Sequence, residues 1–327
     1  MHPQQQSGSR LNILLPILIA GITLLSACSP ASHPALLTGA AGEADRAIIE
    51  GVPFYPQEKF QCGPASLAMV LNWSGLHISP EKLVPEVYTP GREGGLQSAL
   101  IASARRHGRI AYPITGMDML FAELNAGRPA LVLLNLSFSW FPRWHYAVVY
   151  GYDREAELFF LHSGTREGEE LSFRVFNNIW SRSGFWGLLV LPPSEMPVKV
   201  DAATWLEAAA GLELANEWRA AETAFSKAAG QWPHNYNAWI GLGNSRYALH
   251  DLQGAVTAFE TAVRIRPDSG IAYNNLAQVL AARGNFKEAL AASRHAVRLG
   301  GPFLETFLET EREVLLQAEQ DSLPGKL

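Results

Sequence analysis

The stretch Gln57-Glu58-Lys59-Phe60-Gln61-Cys62-Gly63-Pro64-Ala65-Ser66-Leu67-Ala68-Met69-Val70 decides how the first half of the chain is read. It sets a cysteine just before an apolar helix pattern over Ala65–Trp73, with Pro64 where a first-turn proline belongs. The amino end of a helix carries partial positive charge and so favours thiolate over thiol. Gly63 leaves room for a substrate backbone to come close. A structural cysteine buried at a helix start has the same local sequence, so a second group must decide.

That group is in Trp144-His145-Tyr146-Ala147-Val148-Val149-Tyr150-Gly151-Tyr152-Asp153. His145 opens a strand-like run, and a strand is a rigid support for a base. A cysteine and a histidine this far apart meet only through the fold, which is the usual thiol-protease arrangement. Asp153 reads as the turn after the strand. Working outward, Gly95–Arg106 and Met117–Asn125 carry helix patterns. Pro129–Leu136, Tyr146–Tyr152, Leu158–Leu161 and Gly187–Leu191 read as strands. Helices first and strands later make residues 50–194 an α+β domain. The loop Phe138-Ser139-Trp140-Phe141-Pro142-Arg143-Trp144 brings four aromatic rings beside His145; it either lines a substrate cleft or packs beneath the loop.

From about residue 202 the chain becomes Ala-rich and helical in period, and it repeats. Trp205, Trp239 and Tyr273 lie 34 residues apart, as do Ala221, Ala255 and Ala289, then Ala228, Ala262 and Ala296, and the pair Pro233 and Pro267. This pattern resembles the tetratricopeptide (TPR) repeat, here three units over 202–303. The third unit departs, with Ser293 at the position of Phe225 and Phe259. Residues 304–327 are expected to form a capping helix and tail, and 195–201 a linker. Such arrays present a concave surface to a protein partner.

Together the segments around Cys62 and His145 resemble the bacteriocin-processing, double-glycine-leader peptidase family, a branch of the papain-like cysteine peptidases. The residues that carry the likeness are Gln57, Cys62-Gly63-Pro64-Ala65, His145-Tyr146 and Gly151-Tyr152-Asp153. The resemblance implies a papain-like fold over 50–194, with Cys62 as nucleophile and His145 as the base that later protonates the leaving amine. It gives Gln57 the oxyanion donor's role beside the Cys62 backbone N–H, with Gln61 the competing candidate. Gly63, Gly95, Trp140 and Trp144 would border the substrate cleft. Family members commonly carry Asp-Pro on the strand after the histidine; here that stretch is Leu161-His162-Ser163-Gly164. His162, Ser163 or a backbone carbonyl would then orient the ring of His145.

The first residues read as an address. Residues 1–10 end in Arg10, Leu11 to Leu25 is almost wholly apolar, and Leu25-Ser26-Ala27-Cys28 follows. The apolar stretch is shorter than the roughly 20 residues a membrane span needs, and the order is that of a secretory signal. The four residues resemble a bacterial lipobox, which implies a signal peptide over 1–27 and acylation of Cys28. Residues 28–49 then form a lipid-anchored linker. Ser29 follows Cys28, and the aspartate that commonly retains lipoproteins at the inner membrane is absent. An outer-membrane location facing the periplasm is expected. Cys62 has no other cysteine to pair with once Cys28 is acylated.

Composition narrows the function. With 48% hydrophobic and 17% charged residues the chain can bury a core. A net charge of −5 gives no basic footprint for nucleic acid. The nine histidines show no metal-ligand spacing, no phosphate-binding glycine loop is present, and no cofactor is expected. Gly300-Gly301 reads as a helix stop at a repeat end. The expected function is a membrane-anchored periplasmic cysteine peptidase acting on a peptide or protein, with TPR repeats recruiting it. The alternatives are a catalytically weak papain-like domain serving as a TPR scaffold, and a transferase or amidase using the same pair.

Overall fold

A computed structural model describes residues 44–57, 61–89, 91 and 94–322. The signal segment and Cys28 lie outside the described residues, as do Lys59 and Phe60. The first half is built on an antiparallel sheet. Its strands are β1 (Arg46–Ile48), β4 (Ile110–Thr115), β5 (Ala130–Asn135), β6 (Trp144–Asp153), β7 (Leu158–Ser163), β8 (Arg166–Ser172) and β9 (Trp186–Leu191). They run in the order β4-β9-β5-β6-β7-β8. A two-stranded ribbon pairs β2 (Tyr88–Thr89) with β3 (Gly94–Gly95). Strand β6 is the organising element. Its first half pairs with β5, from Asn135 against Trp144 to Ala130 against Val149, and most of its length pairs with β7 on the other side. Where β5 ends, β1 takes over the same edge, with Arg46 opposite Asp153. Residues expected to belong wholly to a tether therefore include a strand of the sheet.

Helix α1 (Cys62–Trp73) lies against β5, β6 and β9, and every residue from Gly63 to Leu71 is buried. A helix apolar on all sides is a core helix, and this one carries the thiol at its first position. Helices α2 (Pro80–Val87) and α3 (Gln97–Arg106) pack beside it. Helices α4 (Met117–Asn125) and α5 (Phe173–Ser181) close the rest of the sheet. There Phe121, Tyr152, Phe159, Phe173 and Phe176 stack at ring separations of 4.6–5.3 Å. Offset and edge contacts of this kind add to the area they bury.

The second half is three helix pairs: α6 (Ala202–Leu214) with α7 (Trp218–Gln231), α8 (Tyr236–Ala248) with α9 (Leu252–Ile265), and α10 (Gly270–Ala282) with α11 (Phe286–Leu299). Helix α12 (Leu304–Ser322) covers the open end, where Phe307 packs on Gly270. The periodic alanines at 221, 255, 289, 228, 262 and 296 are fully buried, which is why only a small side chain serves there. The ring of Phe259 sits where a Cβ on Gly243 would stand, 2.4 Å from it. In the third unit Ala277 replaces that glycine, so a ring would collide, and the buried Ser293 takes its place.

Residues 195–201 are not slack. Glu123, almost wholly buried, accepts the backbone N–H of Val198 at 2.6 Å and pairs with Arg128 at 3.1 Å. Asp201 N–H donates to the Tyr112 hydroxyl at 3.0 Å, and the Asp201 carboxylate caps α6. Arg105 of α3 fills the space beside Gly211 of α6.

Within the array, burial pushes the carboxyl of Glu213 up to about 7, opposed by a hydrogen bond from Ser245. A carboxyl whose folded value is raised destabilises the fold progressively as pH climbs from its unfolded value to its folded one. Below that window the protonated form carries no such cost. Glu213→Gln is therefore expected to raise stability by about 1–3 kcal/mol at pH 8 and to leave it nearly unchanged at pH 4. Urea melts of both proteins at the two pH values check this.

Candidate active site

Cys62 is the first residue of α1, and the backbone N–H groups of Tyr146 and Gly63 lie close enough to its thiol to favour the thiolate. The Tyr146 N–H belongs to the peptide that joins Tyr146 to His145, so the fold brings the two ends of the predicted pair to one place. His145 stands at the start of β6, and its Nε2 lies 3.1 Å from Ser163 Oγ on β7. That contact leaves Nδ1 as the ring nitrogen for other chemistry.

Ser163 and His162 were equal candidates to orient His145, and strand alternation separates them. Successive side chains on a strand point to opposite faces. Ser163 pairs with Ala147 and shares the face of His145, whereas His162 pairs with Val148. His162 accordingly does not touch His145. It is buried, with Nε2 donating to the Val52 carbonyl at 3.2 Å and Nδ1 accepting the Gly168 N–H at 3.4 Å. Its ring stacks on Tyr150 at 4.5 Å. Both nitrogens are used, and burial pulls its pKa down, so it is a neutral core histidine.

Gln57 reaches the same corner. Its Nε2 donates to Ser66 Oγ at 3.3 Å and to the Tyr146 carbonyl at 3.4 Å, while its backbone N–H holds the Gly164 carbonyl at 3.0 Å. Both contacts of the amide are long, and they tie the loop to α1 and β6 beside Cys62. Gly63 and Gly95 come together on the other side. A Cβ on Gly63 would stand 3.7 Å from the Cα of Gly95 and 3.1 Å from Val87. Tyr146 holds this arrangement, its hydroxyl donating to the Gly95 carbonyl at 3.1 Å. Trp140 and Trp144, by contrast, stand in solvent on the β5–β6 hairpin, so the aromatic loop is not buried packing.

Electrostatics favour the neutral forms of both groups. Burial pushes the Cys62 thiol up, outweighing the N–H groups that would lower it. Burial also pulls His145 down, with Arg143 acting in the same direction and Glu169 opposing. Glu169 is the residue that sequence reading passed over. It sits on β8 opposite Leu161, two positions from Ser163, and is paired with Arg166. Its strand, Arg-Glu-Gly-Glu-Glu-Leu-Ser, reads as a polar turn, so nothing marked it as a carboxylate near the ring. Among the described residues no group of three His, Cys, Asp or Glu side chains is arranged to hold a metal ion.

An open cleft of about 740 Å³ lies elsewhere, between residues 194–196 and α7. Of its charged side chains, Arg128 pairs with Glu123 and Glu195, and Glu222 with Arg246. It contains neither the cysteine nor a histidine, and it reads as a seam between the two halves.

Residues 49–187 match the model of the Peptidase_C39 like family, and residues 212–269 and 240–301 match that of the tetratricopeptide repeat. No curated protein matches the chain. Among solved structures, a protein from Bacillus anthracis described as a C39-like peptidase is 19% identical over 45% of this chain and 97% of its own, with a TM-score of 0.38. The type III secretion translocator chaperone SycD of Yersinia enterocolitica is 15% identical over 38% of this chain and 90% of its own, with a TM-score of 0.36. The TPR2B domain of yeast Sti1, solved as a complex with pHsp70, is 15% identical over 36% of this chain and 97% of its own, with a TM-score of 0.35. With the sheet, the buried cysteine helix and the paired helices in place, the chain carries a Peptidase_C39-like domain at 49–187 followed by tetratricopeptide repeats at 212–301.

Proposed function

We propose that the protein is a cysteine peptidase that cleaves a peptide or protein chain at Cys62, tethered to a membrane on the periplasmic side by an acylated Cys28. The catalytic reading is carried by the contact of His145 Nε2 with Ser163 Oγ at 3.1 Å, on the strand whose next residue, Tyr146, brings its N–H near enough to the Cys62 thiol to act on it. The membrane reading is supported by the apolar stretch Leu11 to Leu25 and by Leu25-Ser26-Ala27-Cys28.

The chemistry follows from the neutral pair. The Cys62 sulfur attacks the scissile carbonyl carbon while Nδ1 of His145 takes the thiol proton. The imidazolium so formed donates through Nε2 to Ser163 Oγ. The oxyanion faces the Cys62 backbone N–H and the Gln57 amide, which gives up its long contacts to Ser66 and the Tyr146 carbonyl. Collapse breaks the C–N bond as His145 protonates the leaving amine. Water, deprotonated by His145, then hydrolyses the thioester and restores the thiol. Gly63 and Gly95 pack against each other and Val87 and so do not border open space, while the repeats, which point to protein–protein interaction, recruit the substrate.

A scaffold with a weak site is the second reading. It is favoured by the serine where the family commonly has an aspartate, since a hydroxyl cannot offset an imidazolium charge. Incubating the full chain with unfolded protein substrates separates the two. Cleavage is expected, abolished by Cys62→Ala and lowered about 10²–10³-fold by Gln57→Ala, the range for loss of one oxyanion donor. Equal, background cleavage by all three proteins would leave the scaffold.

The pKa directions give a second test. A raised thiol stays protonated through neutral pH, so iodoacetamide modification of Cys62 is expected to rise only above the ordinary thiol value of 9.0. A lowered imidazole stays an active base below its ordinary 6.5, so the acid limb of the cleavage profile should fall on the acid side of that value. Glu169→Gln removes the charge that opposes this shift and should move the limb further to low pH. Modification that persists at pH 5 would show a preformed thiolate and overturn the neutral pair.

A further inference from the structure

The hairpin between β5 and β6 holds a surface that the peptide chemistry leaves unused. Phe138, Trp140, Phe141 and Trp144 are 63%, 82%, 69% and 50% exposed, and Leu136 beside them is exposed too. The rings form a built cluster. Phe138 stacks on Trp140 at 5.6 Å and 12°, Trp140 meets Phe141 at 6.3 Å, and a β-bridge joins Phe138 to Phe141. Asn135 fixes the turn by accepting the N–H groups of Ser137 and Arg143 at 3.1 and 3.0 Å. The tip is therefore folded, apolar and outward. Its charges are of one sign. Arg143 lies within it, Arg182 of the α5 end donates to the Ser137 carbonyl at 2.6 Å, and residues 136–144 include no Asp or Glu. The whole chain, by contrast, carries −5.

We infer that this hairpin tip inserts its rings into the interfacial region of a bilayer bearing anionic headgroups. Tryptophan and phenylalanine with flanking arginine are the residues that settle at that depth. The arginines would face the lipid phosphates. The inference rests on the acylated Cys28 proposed above, because the tether sets the geometry. The described residues begin at Ala44, whose carbonyl accepts the Tyr152 hydroxyl at the far end of β6 from the tip. Ten residues of strand separate the two ends by about 31 Å, whereas the segment from Cys28 to Ala44 spans up to about 55 Å when extended. A lipid on Cys28 and the aromatic tip can thus engage one membrane together. This would hold His145, the residue after Trp144, at the membrane surface, and would make membrane-associated polypeptides the natural substrates.

The test uses the full chain expressed in a bacterium, mixed with phosphatidylcholine–phosphatidylglycerol vesicles carrying brominated acyl chains. The loss of flotation in Cys28→Ser reads attachment by the N-terminus, and quenching of tryptophan emission reads entry of the tip. Quenching is expected in the natural sequence, should fall in Trp140→Phe and should largely disappear in Trp140→Phe with Trp144→Phe, which keep the rings but not the fluorophores. With Cys28→Ser removing the anchor, Trp140→Ser with Phe141→Ser should lower vesicle partitioning roughly 10-fold or more. Arg143→Gln should lower it about fivefold, and only with the anionic lipid present. Flotation without quenching that depends on Trp140 would leave the anchor standing and overturn the inference. Flotation and Trp140-dependent quenching that are both unchanged by Cys28→Ser would uphold the inference and remove the anchor. An emission shift at Trp140 caused by a peptide substrate, with none caused by vesicles, would overturn it in favour of a substrate-binding wall.

Discussion

The ladder that holds β6 between β5 and β7 is the constraint on which the rest of the site depends. Side chains alternate along a strand, so a slip of one residue would exchange His145 for Trp144 or Tyr146 on the working face. With the register as it stands, Ser163 comes opposite Ala147 and reaches the imidazole. Tyr146 then serves on every side at once. Its N–H lies near the Cys62 thiol, its carbonyl accepts Gln57, and its hydroxyl holds the Gly95 carbonyl. Three groups, Gln57, Cys62 and Gly95, thereby converge on one residue of one strand, and that residue has no reactive role in the proposed mechanism.

Two opposing effects meet at the thiol. The N–H groups at the start of α1 and the N–H of Tyr146 favour the anion, as the helix position suggests. A helix terminus is worth roughly 0.3–2 kcal/mol, whereas full burial shifts an ionisable group by up to about 3–5 units. Here α1 is enclosed along its length, and burial is the largest influence on Cys62. The same enclosure acts on His145 in the opposite sense. Each group is thus favoured in its neutral form, and in the proposed mechanism the proton would cross between them only as the sulfur attacks. Ser163 suits that arrangement. A hydroxyl orients the ring as donor or acceptor and does not demand a standing positive charge, as an aspartate would.

Much of this was legible in the sequence, for reasons specific to each element. The helix after Cys62 and the strand after His145 carry strong apolar patterns, and both form. The 34-residue period survives because each repeated alanine sits where helices touch and nothing larger fits. Other elements were not legible. Strand β1 has three residues and gains its place from the free edge of β6. Helix α2 contains Pro85, and β8 is polar, facing its neighbours rather than the core. The choice between His162 and Ser163 needed the register, which adjacent residues in a sequence do not disclose. The hidden role of Glu169 had the same cause, since a charge two strands away has no local signature.

The seam between the two halves changes what the repeats can do. Read as a linker, residues 195–201 would let the array swing, and recruitment would then act only by raising local concentration. The structure instead pins this segment through the buried Glu123 carboxylate at Val198 and the Tyr112 hydroxyl at Asp201. Arg105 is wedged against Gly211, its Nε without a hydrogen-bond partner among the described residues. A buried carboxylate shared between an arginine and a backbone N–H is costly to break, because the charge is left without compensation. The first helix pair therefore belongs to the peptidase-like domain as much as to the array. Under the proposed function, a polypeptide held by the repeats would be presented in a set direction, so the array would select which part of it approaches Cys62 as well as how often it arrives.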